Sequence, residues 1–155
     1  MTTFRGVAAA AVLVLGLVLA GCGGGGGGGD TLSKAQLVKR TNAICTRYAT
    51  EGDKLTAPKD VTDPAQAQRF FDRAHDIAER QQRDLEALRP AASAKAQYAA
   101  LTKATQNATT LLEDLAMAAK ARDARKGASL LRRLQPDSDA VDKAANALGA
   151  TRCAS

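Results

Sequence analysis

His75, the one histidine of the chain, stands among acids: Asp72, His75, Asp76 and Glu79 fall at i, i+3, i+4 and i+7 and share one face of a helix. A carboxylate three residues from a histidine is a spacing that can hold a transition metal. A two-metal site inside a helical bundle needs two such motifs and two further carboxylates, which a single histidine cannot supply. Arg69, Arg73, Arg80 and Arg83 run through the same stretch, the pattern of a solvated, ion-paired face. No serine stands in a Gly-x-Ser-x-Gly or Ser-x-x-Lys context. Asn107-Ala108-Thr109 spells a glycosylation sequon, but inside a helical pattern. These residues point to no enzyme, no metal and no cofactor.

Composition narrows the field further. The chain has 155 residues, 3% aromatic, with 3 Cys, no Trp and a formal charge of +6. So few rings speak against a stacking platform for single-stranded nucleic acid, and nucleic acid is not an expected partner. Met1 to Arg5 carries one positive charge and precedes an apolar run, Val7 to Leu19, that exits through Ala20-Gly21-Cys22. This is the layout of an export signal, and a dozen or so apolar residues fall short of the ~20 that span a bilayer. Leu19-Ala20-Gly21-Cys22 resembles the lipobox of bacterial lipoproteins at every position. That resemblance implies acylation of Cys22, removal of residues 1–21 as a signal peptide, and a lipid anchor (palmitate and related acyl chains) holding the protein to the membrane. Gly23 to Gly29 follows, a composition expected to act as a flexible tether with a reach of roughly 15 Å. Residues 22–29 are thus anchor and linker, and 30–155 the folded domain.

The elements that must position any site are helical. Ser33 and Gln36 frame a capping box, with Leu32 and Leu37 as a hydrophobic staple. A seam Leu37, Thr41, Ile44, Tyr48 and Leu55 continues from it at helical spacing. After a loop at 56–62, Asp63-Pro64-Ala65-Gln66 opens a second helix. Its stripe runs from Ala67 through Phe70, Phe71 and Ile77 to Leu88, ending at Arg89-Pro90. A third helix from about Ser93 carries Tyr98, Leu101, Ala104, Leu111 and Leu115 inward. Gly127 is read as the turn into a fourth, with Ala128, Leu131, Leu134, Val141 and Leu148 as seam. Pro136 should bend or split that helix, and Gly149 should stop it. The expectation is an all-α, antiparallel four-helix bundle.

With Cys22 assigned to lipid, Cys45 and Cys153 remain in an exported domain, where disulfides persist. At ~1.5 Å per residue, Cys45 lies ~18 Å along helix one from Ser33. A third helix reaching Lys126 would measure ~50 Å and the fourth only ~31 Å, leaving Cys153 level with Cys45. Two free thiols are the alternative, and nothing has the Cys-x-x-Cys form of a redox pair. Thr41-Asn42-Ala43-Ile44-Cys45 together with Ala147-Leu148-Gly149-Ala150-Thr151-Arg152-Cys153 is similar to small lipoproteins of high-GC Gram-positive bacteria. That resemblance implies a helical fold and an extracytoplasmic, membrane-anchored address, with no activity attached.

Charge is the remaining lead. Without Arg5 the chain holds 21 basic and 16 acidic residues. Lys120, Arg122, Arg125, Lys126, Arg132 and Arg133 face one acid, Asp123, within fourteen residues, so this window equals the whole excess of five. In an up-down bundle tethered before helix one, that stretch lies at the end far from the membrane. It is a candidate patch for an anionic envelope polymer or an acidic protein, or else a well-solvated helix end. The function expected is a non-enzymatic envelope interaction module. The alternative is a bundle holding an ion or small molecule between its helices.

Overall fold

The computed structural model describes residues 31–60 and 62–154. The leader, Cys22 and the glycine run lie outside the described residues. Five α-helices and a short 3₁₀ turn make up the order: α1 (Lys34–Gly52), α2 (Pro64–Glu86), α3 (Ala92–Lys120), α4 (Ala124–Leu131), α5 (Leu134–Leu148) and the turn Thr151–Cys153. The described residues form no strand, only an isolated bridge between Leu32 and Pro90.

The first two starts follow their local chemistry. Gln36 N donates to Ser33 Oγ at 3.3 Å and Ser33 N to Gln36 Oε1 at 3.0 Å, closing the capping box. Leu32 and Leu37 are buried in one cluster, as a staple requires. Asp63 accepts from the N–H groups of Ala65 and Gln66, and Pro64 occupies the first helical position.

The third connection departs from the sequence reading. Helix α3 stops at Lys120, and Gly127 lies inside α4 rather than in the turn. Asp123 N donates to Ala118 O at 2.9 Å and Arg122 N to Ala119 O at 3.0 Å, the two bonds of a Schellman motif. Arg122 takes its left-handed position with φ 54°. Asp123 then caps α4 by accepting from Lys126 N at 2.9 Å. A good cap outweighs the roughly 1 kcal/mol that an interior glycine costs a helix, so Gly127 is absorbed.

The split anticipated near Pro136 falls three residues earlier, at Arg132 and Arg133. Pro136 is the third residue of α5, where its missing N–H has no intrahelical partner to lose. The break resets the helical phase. Leu130 is buried, whereas Leu131 and Leu134, placed in the seam by the sequence, are exposed.

The four arms α1, α2, α3 and α4–α5 run antiparallel. Arg47 and Glu51 of α1 reach Asp84 and Arg80 of α2, while Tyr98 of α3 reaches Leu85. Below, Leu37, Tyr98, Leu101, Ala145 and Leu148 join α1, α3 and α5 in one core, with Leu88 packed against it. Above, where α1 has ended, Leu111, Leu115, Ala118 and Leu130 pack with Phe71 into a second. Helix α3 passes through both. Alanine at Ala94, Ala104, Ala118 and Ala145 lets the helices approach closely.

At the lower end α5 closes in a second Schellman motif. Gly149 adopts φ 90°, and Ala150 N donates to Ala145 O at 2.9 Å. The chain then turns back and climbs along α1. Arg152 N donates to Asn42 Oδ1 at 2.9 Å, and Cys153 is disulfide-bonded to Cys45 with their Cα atoms 5.1 Å apart. The pairing holds, but the length argument for it does not. Helix α5 ends beside Val38, about 10 Å below Cys45, and the reversal at Gly149 supplies the climb.

Candidate functional site

The cations at positions 120–133 divide into two groups. Lys120 ends α3, Arg122 is the left-handed corner, and Arg125 and Lys126 are the second and third residues of α4. Arg132 and Arg133 sit at the α4–α5 break, one eight-residue helix, or about 12 Å, away. All six are exposed. Arg133 lies 3.6 Å from Asp137 Oδ2. None of the other five pairs with an acid among the described residues.

Local energetics disfavour the corner group. A cation is stabilised at a helix C-terminus and opposed at an N-terminus. Lys120 sits at the favourable end, whereas Arg125 and Lys126 occupy the first turn of α4. A helix-end reading accounts for Lys120 and for Arg132, the C-cap residue of α4, but not for Arg125 and Lys126. Arg122 also holds a conformation that costs an L-residue about 1 kcal/mol or more. Beneath the corner a groove of about 260 Å³ opens between α2, α3 and α4. Phe71, Leu115, Ala118 and Leu131 line it together with Arg122.

The middle of the bundle is the opposite case, because its charges satisfy one another. Arg80 bridges Glu51 at 2.8 Å and Asp76 at 3.3 Å, and Arg83 meets Glu79 at 2.9 Å. Arg47 pairs with Asp84, which also accepts from the Tyr48 hydroxyl at 2.7 Å. Both guanidinium groups lie over the Tyr48 ring, 4.6 and 5.6 Å from its centre. Burial, with Asp84 beside it, raises the Tyr48 pKa. Asp76 and Glu79 are therefore engaged by arginines one turn further on, and His75 stands on that ion-paired face. Among the described residues no three His, Cys, Asp or Glu side chains converge as a ligand set.

A buried polar network escaped the sequence reading. The Tyr98 hydroxyl donates to Leu85 O at 2.5 Å, and burial pushes its pKa up to about 12, with Glu86 adding to the rise. Gln82, also buried, donates to Glu86 at 2.6 Å and accepts from Thr105 at the same distance. Gln82 falls at helical spacing within the apolar stripe of α2, four residues after Ala78 and three before Leu85, so its inward place was legible in the sequence, but its partners appear only in the fold. Thr41 is fully buried, and its hydroxyl, which meets no partner at ordinary hydrogen-bond geometry among the described residues, lies close enough to the Tyr98 oxygen to favour its ionised form.

Comparison of the chain with protein-family models, characterised proteins and solved structures finds no match. No helix among the described residues is long and apolar enough to cross a membrane.

Proposed function

We propose that the chain is an exported lipoprotein, anchored through Cys22 on the outer face of the cell membrane. Its α3–α4 corner binds an anionic envelope partner. One observation carries the functional part: Arg122, Arg125 and Lys126 are exposed and unpaired at positions where backbone conformation and helix dipole oppose them. Residues held against local preference are the ones to suspect of a role beyond folding. The Leu and Ala side chains packed into two clusters, and the absence of a converging set of His, Cys, Asp or Glu among the described residues, favour this reading over an ion held between the helices.

Arg122→Gln with Arg125→Gln and Lys126→Gln should release an unacylated Cys22→Ala chain from membrane-free envelope material, where neither the leader nor a lipid surface can hold it. The same number of changes at Arg69, Arg73 and Lys103 should not. Gln keeps helix propensity close to that of Arg and Lys, so charge alone is tested. Equal retention of the two variants overturns the proposal. The anchor is tested separately: Cys22→Ala should move the protein out of the detergent phase on phase partitioning.

A further inference from the structure

The window at 120–133 is not the only concentration of positive charge, because the fold assembles a second from three distant segments. Lys34, Lys39 and Arg40 belong to the first two turns of α1, Arg89 and Lys95 flank the α2–α3 corner, and Arg152 follows the reversal at Gly149. The topology brings all three segments to the lower end of the bundle. These six cations are exposed, and none pairs with an acid among the described residues. Glu86, close to them on α2, is engaged by Gln82, and Asp142 of α5 lies toward Cys153. Outside the leader and these two groups of cations, the chain holds nine basic and sixteen acidic residues. Four of the ion pairs among the described residues, Arg47–Asp84, Arg80–Glu51, Arg80–Asp76 and Arg83–Glu79, lie between these two basic groups.

The chain also enters the bundle at this lower end. Leu32 N donates to Arg89 O at 2.7 Å and Ala91 N to Leu32 O at 2.9 Å, which fixes the entry beside Arg89. Eight residues separate Thr31 from Cys22, and they span at most about 30 Å fully extended. Next to the entry, a wide, shallow groove runs between α1 and α5. Lys34, Lys39 and Arg152 stand around its apolar Val38 and Ala147, and no acid lines it. The disulfide and the Asn42–Arg152 hydrogen bond hold Arg152 in place there.

We propose that this lower end docks on the anionic headgroups of the bilayer that carries the chain, orienting the bundle with the α3–α4 corner outward. The location of the bilayer rests on the reading of Cys22 as the anchor, whereas the charged surface stands without it. Basic residues close to an anionic lipid surface strengthen binding about fivefold each, and the attraction is felt within a Debye length of about 8 Å.

The test uses the full chain with Cys22→Ala, so that acylation plays no part, and vesicles of phosphatidylcholine alone or mixed with phosphatidylglycerol. Apolar binding by residues 7–19 contributes equally to both vesicles, so the ratio of the two affinities reports charge. A water-soluble amine reagent then reads which lysines the bound state protects. The expected result is a strong preference for the anionic vesicles, with Lys34, Lys39 and Lys95 protected and Lys120 and Lys126 reactive. Arg40→Gln, Arg89→Gln and Arg152→Gln together should reduce that preference on the order of a hundredfold. Absence of a preference, a preference surviving the triple change, or protection at Lys120 and Lys126 instead would each overturn the proposal. None of these outcomes depends on whether Cys22 is acylated, which the phase-partitioning experiment decides.

Discussion

Arg152 donates its backbone N–H to the side chain of Asn42 one residue before Cys153 closes on Cys45. The tail is therefore registered on α1 by a hydrogen bond as well as by the covalent link. The disulfide joins residues separated by 108 positions. A loop of that size is worth about 4 to 5 kcal/mol in the chain-entropy account, and removing such a bond from a small exported domain costs about 2–5 kcal/mol. Cys45→Ser should lower stability within that range, measured by urea unfolding. Non-reducing peptide mapping should recover Cys45 and Cys153 in one linked fragment. Quantitative alkylation of both without reduction would contradict the structure.

The two Schellman motifs give opposite expectations. Gly149 has φ 90°, and a Cβ there would meet Val38 Cγ2 at an ordinary 3.9 Å. The cost of Gly149→Ala is thus conformational, about 1 kcal/mol, with little steric addition. Arg122 holds the equivalent position without being glycine. Arg122→Gly should stabilise the fold by about 1 kcal/mol while weakening envelope binding. A substitution that raises the thermal midpoint and lowers binding would separate the demands of the fold from those of the site.

Local signals carried the elements and their order, and failed where two of them competed. The caps at Ser33 and Asp63 are side-chain bonds over three residues, so the sequence contains them whole. The α3–α4 turn presented a choice between Gly127 and Asp123. The weaker signal looked stronger because glycine is the usual occupant of the left-handed position, which Arg122 fills. That misplacement made Arg125 and Lys126 look like cations at a helix C-terminus, when they occupy an N-terminal turn. The basic lower end could not be read from any window. Its six residues come from segments 49 and 57 positions apart, and only the fold brings them to one end. The Cys45–Cys153 pairing was legible from the expected compartment and the cysteine count, but the turn that delivers it needed the phase of α5 at Gly149.

Thr41 offers a test of the interior. Its side chain is fully buried, and its hydroxyl lies near the Tyr98 oxygen without reaching ordinary hydrogen-bond geometry. Replacing an unsatisfied buried hydroxyl by a methyl of the same shape removes a desolvation cost of about 1–2 kcal/mol. Thr41→Val should therefore raise the urea midpoint without changing its slope. A loss of stability would mean that the hydroxyl has a partner in solution.

Tyr98 makes stability depend on pH at the alkaline end. Its pKa rises from 10.0 to about 12 because the ring is buried, with the Glu86 carboxylate adding to the rise. The folded protein therefore keeps the phenolic proton over a range in which the unfolded chain releases it. A group whose folded value is raised contributes its stabilisation in full below the unfolded value and loses it as pH climbs through the folded one. The window is pH 10 to about 12, and two units correspond to a loss of up to about 3 kcal/mol. Tyr48, raised in the same direction, steepens the decline. Tyr98→Phe removes the hydrogen bond to Leu85 O, at about 1 kcal/mol near neutral pH, but its stability should fall less steeply across that window. Urea midpoints of the two proteins, followed from neutral to alkaline pH, should converge as the wild type loses its advantage. Parallel curves would show that Tyr98 ionises in the fold as readily as in the open chain.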